Sequence, residues 1–489
     1  MTATLTAQTR RLLLEHIEAI RPDADDADES RLRAFLPLPV HGRALRPDTL
    51  VVRGTKGAGK TAMFNALNAL DRAGIPSARF FPELGPTTGL HLEWLEGFSK
   101  AGTQHPAPAA VDAYAAQAGD AELRSFWLGH LIGRLAERST TTEPPPEPFW
   151  TAWRDARSDA RAWVPHVTAH LPRLSVWLDR LESTLAEQAQ TLQVGYDDLD
   201  RLGIYDRDVR HRLAGTLLTL WLSLSQRYRQ IRGKVFVRED LFRSSLTFTT
   251  DASKLESRSA ALTWRTPDLY RMVTRRFAAH HDLRGWLTGS PDPIALSPSE
   301  VAGWIPAPEL PEEALPGKLV GPLMGRGVSK GYTHRWIPNH LQDARGDVVP
   351  RSLVNLLRFA AQRALEQGPR AEGARLLHRT ELRWALEDTS RHRAQELREE
   401  HPVVRRLEHL RGLVLLAQRD KVAARLADPA PLGLFERNDD GFGSDGAAVL
   451  EALLDLGVLK ARSDGRIDVP DIYRFGFGIK RKGGVSRAN

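Results

Sequence analysis

Thr49-Leu50-Val51-Val52-Arg53-Gly54-Thr55-Lys56-Gly57-Ala58-Gly59-Lys60-Thr61 is the stretch from which the rest of the chain can be read. Leu50, Val51 and Val52 form a short apolar run that ends at a glycine, the pattern of a strand buried in a parallel sheet. Thr61 to Leu70 follows with Phe64, Leu67 and Leu70 on one helical stripe. Between strand and helix, Gly54–Thr61 satisfies G-x-x-x-x-G-K-[ST] at every fixed position. Glycines let the backbone curl until successive N–H groups face phosphate oxygens, and the next helix adds the positive end of its dipole. The spacing predicts a phosphate cradle made of Gly54, Thr55, Lys56, Gly57, Ala58, Gly59, Lys60 and Thr61. Lys60 is expected to reach the β- and γ-phosphates of a nucleoside triphosphate, read as ATP. The Thr61 hydroxyl is expected to ligate Mg²⁺.

Further along, strand and helix patterns alternate. Ala78 to Leu84 is expected as the second strand. Leu192 to Asp198 reads as a strand that ends in two acids, Val209 to Ile231 as a helix, and Lys234 to Asp240 as another strand. Ala260 to Trp264 is expected as the last strand. Such alternation predicts an α/β fold, three layers deep, with a parallel sheet between helices. Residues of about 108–190 read as a helical insertion in which Trp150, Trp153 and Trp163 pack, and Ser139 to Pro148 as a Thr- and Pro-rich linker. Nearer the end, Gly446 to Leu456 reads as a helix. Val458 to Arg462 and Arg466 to Val469 read as strands joined at Asp464-Gly465, a helix-plus-hairpin pattern that suits a winged helix. The expected division is an N-terminal helix and approach segment (1–45), an ATPase core (46–290), a helical lid (291–400) and a winged-helix-like domain (401–489).

Composition narrows the chemistry. The 489 residues carry 42% hydrophobic and 26% charged side chains, enough for an ordinary core without covalent staples. There is no cysteine, which excludes disulfides, thiol catalysis and Cys-ligated zinc. The sixteen histidines show no H-E-x-x-H spacing. No apolar run approaches the roughly 18 residues of a membrane span, and Met1 to Ile20 lacks the apolar run of a signal peptide, so a cytoplasmic protein without membrane partners is expected. The net charge of +7 permits a nucleic-acid partner without requiring one.

A phosphate-bound metal needs a carboxylate, and Asp197 and Asp198 stand at the end of a predicted strand. Asp197 is assigned to Mg²⁺, through its water shell, and Asp198 to polarising the attacking water as general base. Neighbouring side chains of an extended strand point to opposite faces, so the second role requires the chain to turn at Asp198. Arg238, at the tip of the next predicted strand, is a candidate γ-phosphate sensor; an ion pair with Glu239, Asp240 or Asp198 is the alternative. Arg351, in Val349-Pro350-Arg351-Ser352-Leu353 at a helix start, could reach the nucleotide from the lid, or stand as a surface arginine.

Gly54–Thr61 followed by Asp197-Asp198-Leu199-Asp200-Arg201-Leu202 resembles the additional-strand P-loop ATPases, in particular the AAA+, STAND and KAP groups. Lys234 to Phe242, Leu262-Thr263-Trp264 and Gly465 to Arg474 resemble bacterial predicted ATP-binding proteins. The resemblance implies a sheet of order 5-1-4-3-2, a helical lid and a C-terminal winged helix. It also implies a signalling or defence switch that assembles with itself or with a partner effector protein when triphosphate is bound, for instance against phage. The chain departs from KAP proteins in having no membrane helices within the ATPase core. Two alternatives stay open. One is a DNA-associated ATPase that docks through the C-terminal domain, with Lys480, Arg481, Lys482 and Arg487 on phosphates. The other is a nucleotide-binding scaffold that does not hydrolyse.

Overall fold

Five short apolar runs find one another in a single parallel sheet. They are β1 (Val51–Gly54), β2 (His91–Phe98), β3 (Gln190–Tyr196), β4 (Ile231–Arg238) and β5 (Ser259–Ala261). Their spatial order is β2-β3-β4-β1-β5, and every adjacent pair is parallel. The computed structural model describes residues 5–22, 30–84, 91–100, 104–138, 143–203, 206–246, 251–368, 375–428 and 440–481. These fall into two compact units. One comprises Ala24–Thr263 with Glu300–Ala302 and holds the sheet; the other comprises Met1–Asp23, Trp264–Ser299 and Gly303–Asn489.

Alternation along the strands sends side chains to two faces, and both are covered by helices. On one face, Phe64 of helix Lys60–Arg72 meets Trp94 of β2 and Phe236 of β4 edge-on, with ring centroids 5.7 and 5.6 Å apart. On the other, Trp221 of helix Arg207–Arg227 meets Tyr196 of β3 at 5.9 Å. On each face a strand glycine makes room for an indole. A Cβ on Gly195 would lie 2.2 Å from the Trp94 ring, and one on Gly233 would lie 2.3 Å from the Trp221 ring. The glycine that interrupts the acidic strand is thus the recess for an indole.

Lys234 of β4 is wholly buried, and its amine donates to the carbonyls of Arg46 and Thr49, tying the approach segment to the sheet. Gln193 of β3 does the same, donating to Leu45 O at 2.5 Å. Both polar groups interrupt apolar strands because loop carbonyls there need donors.

The second strand is not where the sequence pattern put it. Ala78 to Leu84 forms the short helix Ser77–Phe80 and the 3₁₀ turn Pro82–Leu84. Phe80 and Phe81 pack against Phe35, with ring centroids about 6 Å apart. The strand lies instead at His91–Phe98, whose Glu93 and Glu96 mask its alternation. Both acids are matched by cations or donors: Arg138 reaches Glu93 at 3.6 Å, and Asn68 donates to Glu96 at 2.8 Å.

Between β2 and β3 the described residues make five helices: Pro108–Ala115, Asp120–Arg138, Phe149–Ala156, Ala160–Ala169 and Leu171–Glu187. Trp153 and Trp163 are fully buried there, as packing residues. At their centre His130 touches the rings of Phe98, Phe126, Trp127, His105 and Trp153. Neither of its ring nitrogens has a hydrogen-bond partner among the described residues. Burial, reinforced by His105, Arg134 and Arg157, holds its pKa well below the ordinary histidine value.

In the other unit, helix Ala7–Ala19 packs on helix Pro350–Glu366, which packs on Arg379–Glu400. An antiparallel pair, Leu296–Ser299 with Gly303–Pro306, precedes the second and third of these helices in the chain. Near the end of the chain, helix Gly446–Asp455 is followed by the two-stranded pair Lys460–Ala461 and Ile467–Asp468. No described helix is long and apolar enough to cross a membrane.

The buried imidazole gives a pH test of this core. A folded-state pKa below the unfolded value of about 6.5 means that only the unfolded chain takes up a proton as pH falls through that window, so stability is lost there. His130→Phe removes the unpartnered nitrogens and the titration together. Denaturant unfolding should show the variant gaining about 1–2 kcal/mol more over the parent at pH 5 than at pH 8. An equal gain at both pH values would mean that the imidazole titrates normally.

Candidate phosphate-binding site at the ends of β1, β3 and β4

The loop after β1 closes on itself before the helix begins. Ala58 N donates to Thr55 O at 3.1 Å, and Gly57 and Gly59 take φ of 84° and 99°. A side chain would strain the backbone at either glycine. The left-handed Gly59 is the N-cap of helix Lys60–Arg72, so the helix starts at the lysine and its first turn adjoins the loop. The Lys60 amine lies over the loop, donating to Gly54 O at 2.8 Å and to Thr55 O at 3.2 Å.

Parallel pairing carries the acids to the same edge. Asp197 N donates to Phe98 O at 3.0 Å, extending the β2–β3 ladder one residue beyond the strand. The Asp197 carboxylate is 3% exposed and accepts a hydrogen bond from the Thr61 side chain. Its Oδ2 is buried with no hydrogen-bond partner among the described residues. Burial first, then the neighbouring Asp198 charge, push its pKa up to about 7. An isolated buried carboxylate oxygen is costly, and a cation is the partner that would offset the cost.

Asp198 turns the chain. Its φ is 59°, in the left-handed region that aspartate tolerates better than most residues, and it caps the 3₁₀ turn Leu199–Arg201. Two successive acids therefore need not diverge to opposite faces of the sheet. Burial raises the Asp198 pKa and Asp200 adds to the rise, while Lys100 opposes it.

Lys100 is a residue that the sequence pattern did not single out. Its backbone N–H donates to Asp198 Oδ2 at 3.4 Å, and its amine lies 3.9 Å from Oδ1. It stands just past β2, so misplacing that strand hid it. The signal that could have found it was the run Leu92-Glu93-Trp94, apolar on one side and acidic on the other.

Arg238 is the register partner of Gly54, which puts it beside the first residue of the loop. Its guanidinium is held by Asp240 at 2.8 and 3.0 Å and approaches Asp200 at 3.5 Å. Glu239 is clamped separately by Arg53, at 2.8 and 2.9 Å, and by Arg243 at 3.0 Å. Arg201 is exposed beyond the acid turn. Arg351 belongs to the other compact unit, where it donates to Glu396 at 2.7 Å. Of the C-terminal cations, Arg481 is paired with Asp468 at 3.0 Å, and Lys482 and Arg487 lie outside the described residues.

The structure thus gathers Gly54–Thr61, Asp197, Asp198, Arg238 and Lys100 at the C-terminal edge of one sheet, where parallel α/β sheets hold their ligands. Thr61 and Asp197 together offer a hydroxyl and an unpartnered carboxylate oxygen, a hard oxygen pair of the kind magnesium takes. No cluster of three or more His, Asp or Glu that could hold a metal occurs among the described residues. A metal seated here would therefore draw its other ligands from phosphate and water, as magnesium usually does.

No protein-family model and no curated protein matches the chain. Among solved structures it is similar to the ORC2 protein of Aeropyrum pernix, at 13% identity and a TM-score of 0.41, covering 92% of each chain. It is also similar to a Walker-type ATPase of Pyrococcus abyssi, at 13% identity and a TM-score of 0.40, covering 94% of this chain and 99% of that one. The chemistry of the site rests on the residues at the sheet edge and not on these likenesses.

Proposed function

We propose that the sheet-bearing unit binds ATP with Mg²⁺ at Gly54–Thr61 and hydrolyses it, and that the cycle drives a conformational or assembly switch. The observation that carries this reading is the buried, unpartnered Asp197 oxygen, next to Thr61 at the mouth of a glycine loop. ATP rather than GTP is named on the resemblance to the additional-strand ATPases.

Each residue has a task set by its place. The N–H groups of Gly57 to Thr61 bind the phosphate chain. Lys60 leaves the carbonyls of Gly54 and Thr55 for the β- and γ-phosphates, exchanging two neutral acceptors for charged ones. Thr61, and Asp197 through the water shell, would hold Mg²⁺, which would supply positive charge to screen the phosphates. Asp198 accepts the proton of the attacking water; its raised pKa brings it nearer to the working pH. Lys100 restrains Asp198 and so positions it. Arg238 senses the γ-phosphate from the neighbouring strand, and Arg351 is the lid sensor; each would have to leave its present carboxylate to do so. The defence role, the winged helix and a partner effector protein rest on the resemblance alone.

Lys60→Ala should weaken ATP binding at least about tenfold, or 1.4 kcal/mol, in calorimetry. Unchanged affinity in a folded variant would remove the phosphate loop from the mechanism.

The two acids should separate in steady-state hydrolysis. Asp198→Asn keeps Mg²⁺ and ATP bound but slows turnover by about 10²-fold, the lower range for losing a general base. Asp197→Asn weakens metal-dependent binding instead. Parental turnover by both variants would assign the chemistry elsewhere, with Glu239 the next carboxylate to replace.

The switch predicts a change of mass. Light scattering should show self-association with ATP or a non-hydrolysable analogue and not with ADP, and Arg351→Ala should bind ATP without associating. One mass in all three states would leave an ATPase that does not assemble.

A further inference from the structure

Gly321–Arg335 carries Arg326, Lys330, His334 and Arg335 and not a single carboxylate. The segment is a formed finger rather than a loose loop. Leu323 and Tyr332 make an antiparallel bridge, Met324 N donates to Gly331 O at 3.0 Å, and Thr333 N donates to Pro322 O at 2.9 Å. At the base, the Thr333 hydroxyl donates to Gly321 O at 2.6 Å and Arg383 donates to Met324 O at 2.9 Å. At the tip, Lys330 N closes on Gly327 O at 3.0 Å. The Lys330 stem lies on Gly325, where a Cβ would come within 2.4 Å of it. Gly331, at φ 85°, returns the chain.

The side chains this finger presents are cationic and aromatic. Arg326, Lys330 and Arg335 are exposed, as is Tyr332 at 40%, and the Arg335 guanidinium sits 5.7 Å from the Tyr332 ring centroid. None of the three cations has a carboxylate within ion-pair distance among the described residues. Arginines of the helices in the same unit are treated otherwise: Arg363, Arg391 and Arg393 each meet an acid at 2.7–3.0 Å. Three cations without acids among the described residues, Arg326 and Lys330 on the hydrogen-bonded, glycine-bearing finger and Arg335 in the first turn of helix Thr333–Leu341, attract a polyanion. Nucleic-acid phosphates meet lysine and arginine, and an exposed tyrosine offers a face for an unpaired base. An anionic membrane fits less well, since Val328 is the only apolar side chain exposed between Arg326 and Lys330.

We propose that the Gly321–Arg335 finger binds the phosphodiester backbone of a nucleic acid. The inference does not depend on the reading of Gly54–Thr61, and it involves neither the C-terminal cations nor a winged helix.

Fluorescence anisotropy tests it on the full chain, with labelled duplex DNA, single-stranded DNA and single-stranded RNA of one sequence, each titrated across salt. The parent should bind at least one of them. The triple variant Arg326→Ala, Lys330→Ala, Arg335→Ala should bind at least about tenfold more weakly and lose about 2–3 from the slope of log K against log salt. Lys330→Gln, which keeps its stem over Gly325, should shift binding in the same direction while unfolding at the parental temperature. Tyr332→Ala should weaken binding to the single strands more than to the duplex if bases stack on the ring. Parental affinity and slope in the triple variant would overturn the proposal. So would absence of binding to all three nucleic acids at low salt, or binding of the parent only to phosphatidylserine vesicles.

Discussion

Two indoles, one on each side of the sheet, lie where a strand residue has no side chain. Trp94 covers Gly195 and Trp221 covers Gly233, and at either position a Cβ would meet the ring at little more than 2 Å. A protein interior packs at crystal density and does not absorb such an overlap cheaply. The first contact locks β3 to β2 and the second locks β4 to helix Arg207–Arg227. The site depends on that: Asp197 reaches Thr61, and Arg238 lies beside Gly54, because parallel pairing holds three strand ends at one edge.

The same edge concentrates electrostatic cost. Asp197 is buried and Asp198 half-buried beside it; burial and the Asp198 charge raise the pKa of Asp197, and burial and Asp200 raise that of Asp198. Lys100, Lys60 and the Thr61 hydroxyl offset part of the cost, and one carboxylate oxygen remains without a partner among the described residues. Arrangements of this kind destabilise the free protein and favour whatever brings positive charge to the site. The surrounding arginines are not loose counter-charges: Arg53 and Arg243 are committed to Glu239, and Arg238 to Asp240. Any sensing role for Arg238 therefore requires an exchange of partners, which would couple the γ-phosphate to the start of helix Glu239–Leu246.

Charge is handled differently at the exposed finger of the other unit. There the cations are left without acids among the described residues, on a ribbon whose own hydrogen bonds and glycines hold it in shape. Within this one chain, the charge at the sheet edge is partly compensated, while Arg326, Lys330 and Arg335 stand without acids among the described residues. The chemistry of a partner would account for the second pattern, because solvent alone does not require a shaped ribbon.

Local chemistry made the phosphate loop, its flanking strand and helix, and the acid pair legible from the amino-acid sequence. Gly54–Thr61 must curl because of its glycines, Leu50 to Val52 must be buried, and a turn at Asp198 was required for both acids to serve one site. The alternation of β3, β4 and their helices also read correctly, since periodicity is a property of neighbours along the chain. The second strand did not. Phe80 and Phe81 look like strand residues until Phe35 is brought against them, and Glu93 and Glu96 look like loop residues until Arg138 and Asn68 arrive from helices. Tertiary structure alone decided that Lys100 touches Asp198 and that the cations of residues 321–335 stand on a finger without acids among the described residues. Those outcomes turn on charges and rings far apart in sequence, and the distances between them exist only once the chain has folded.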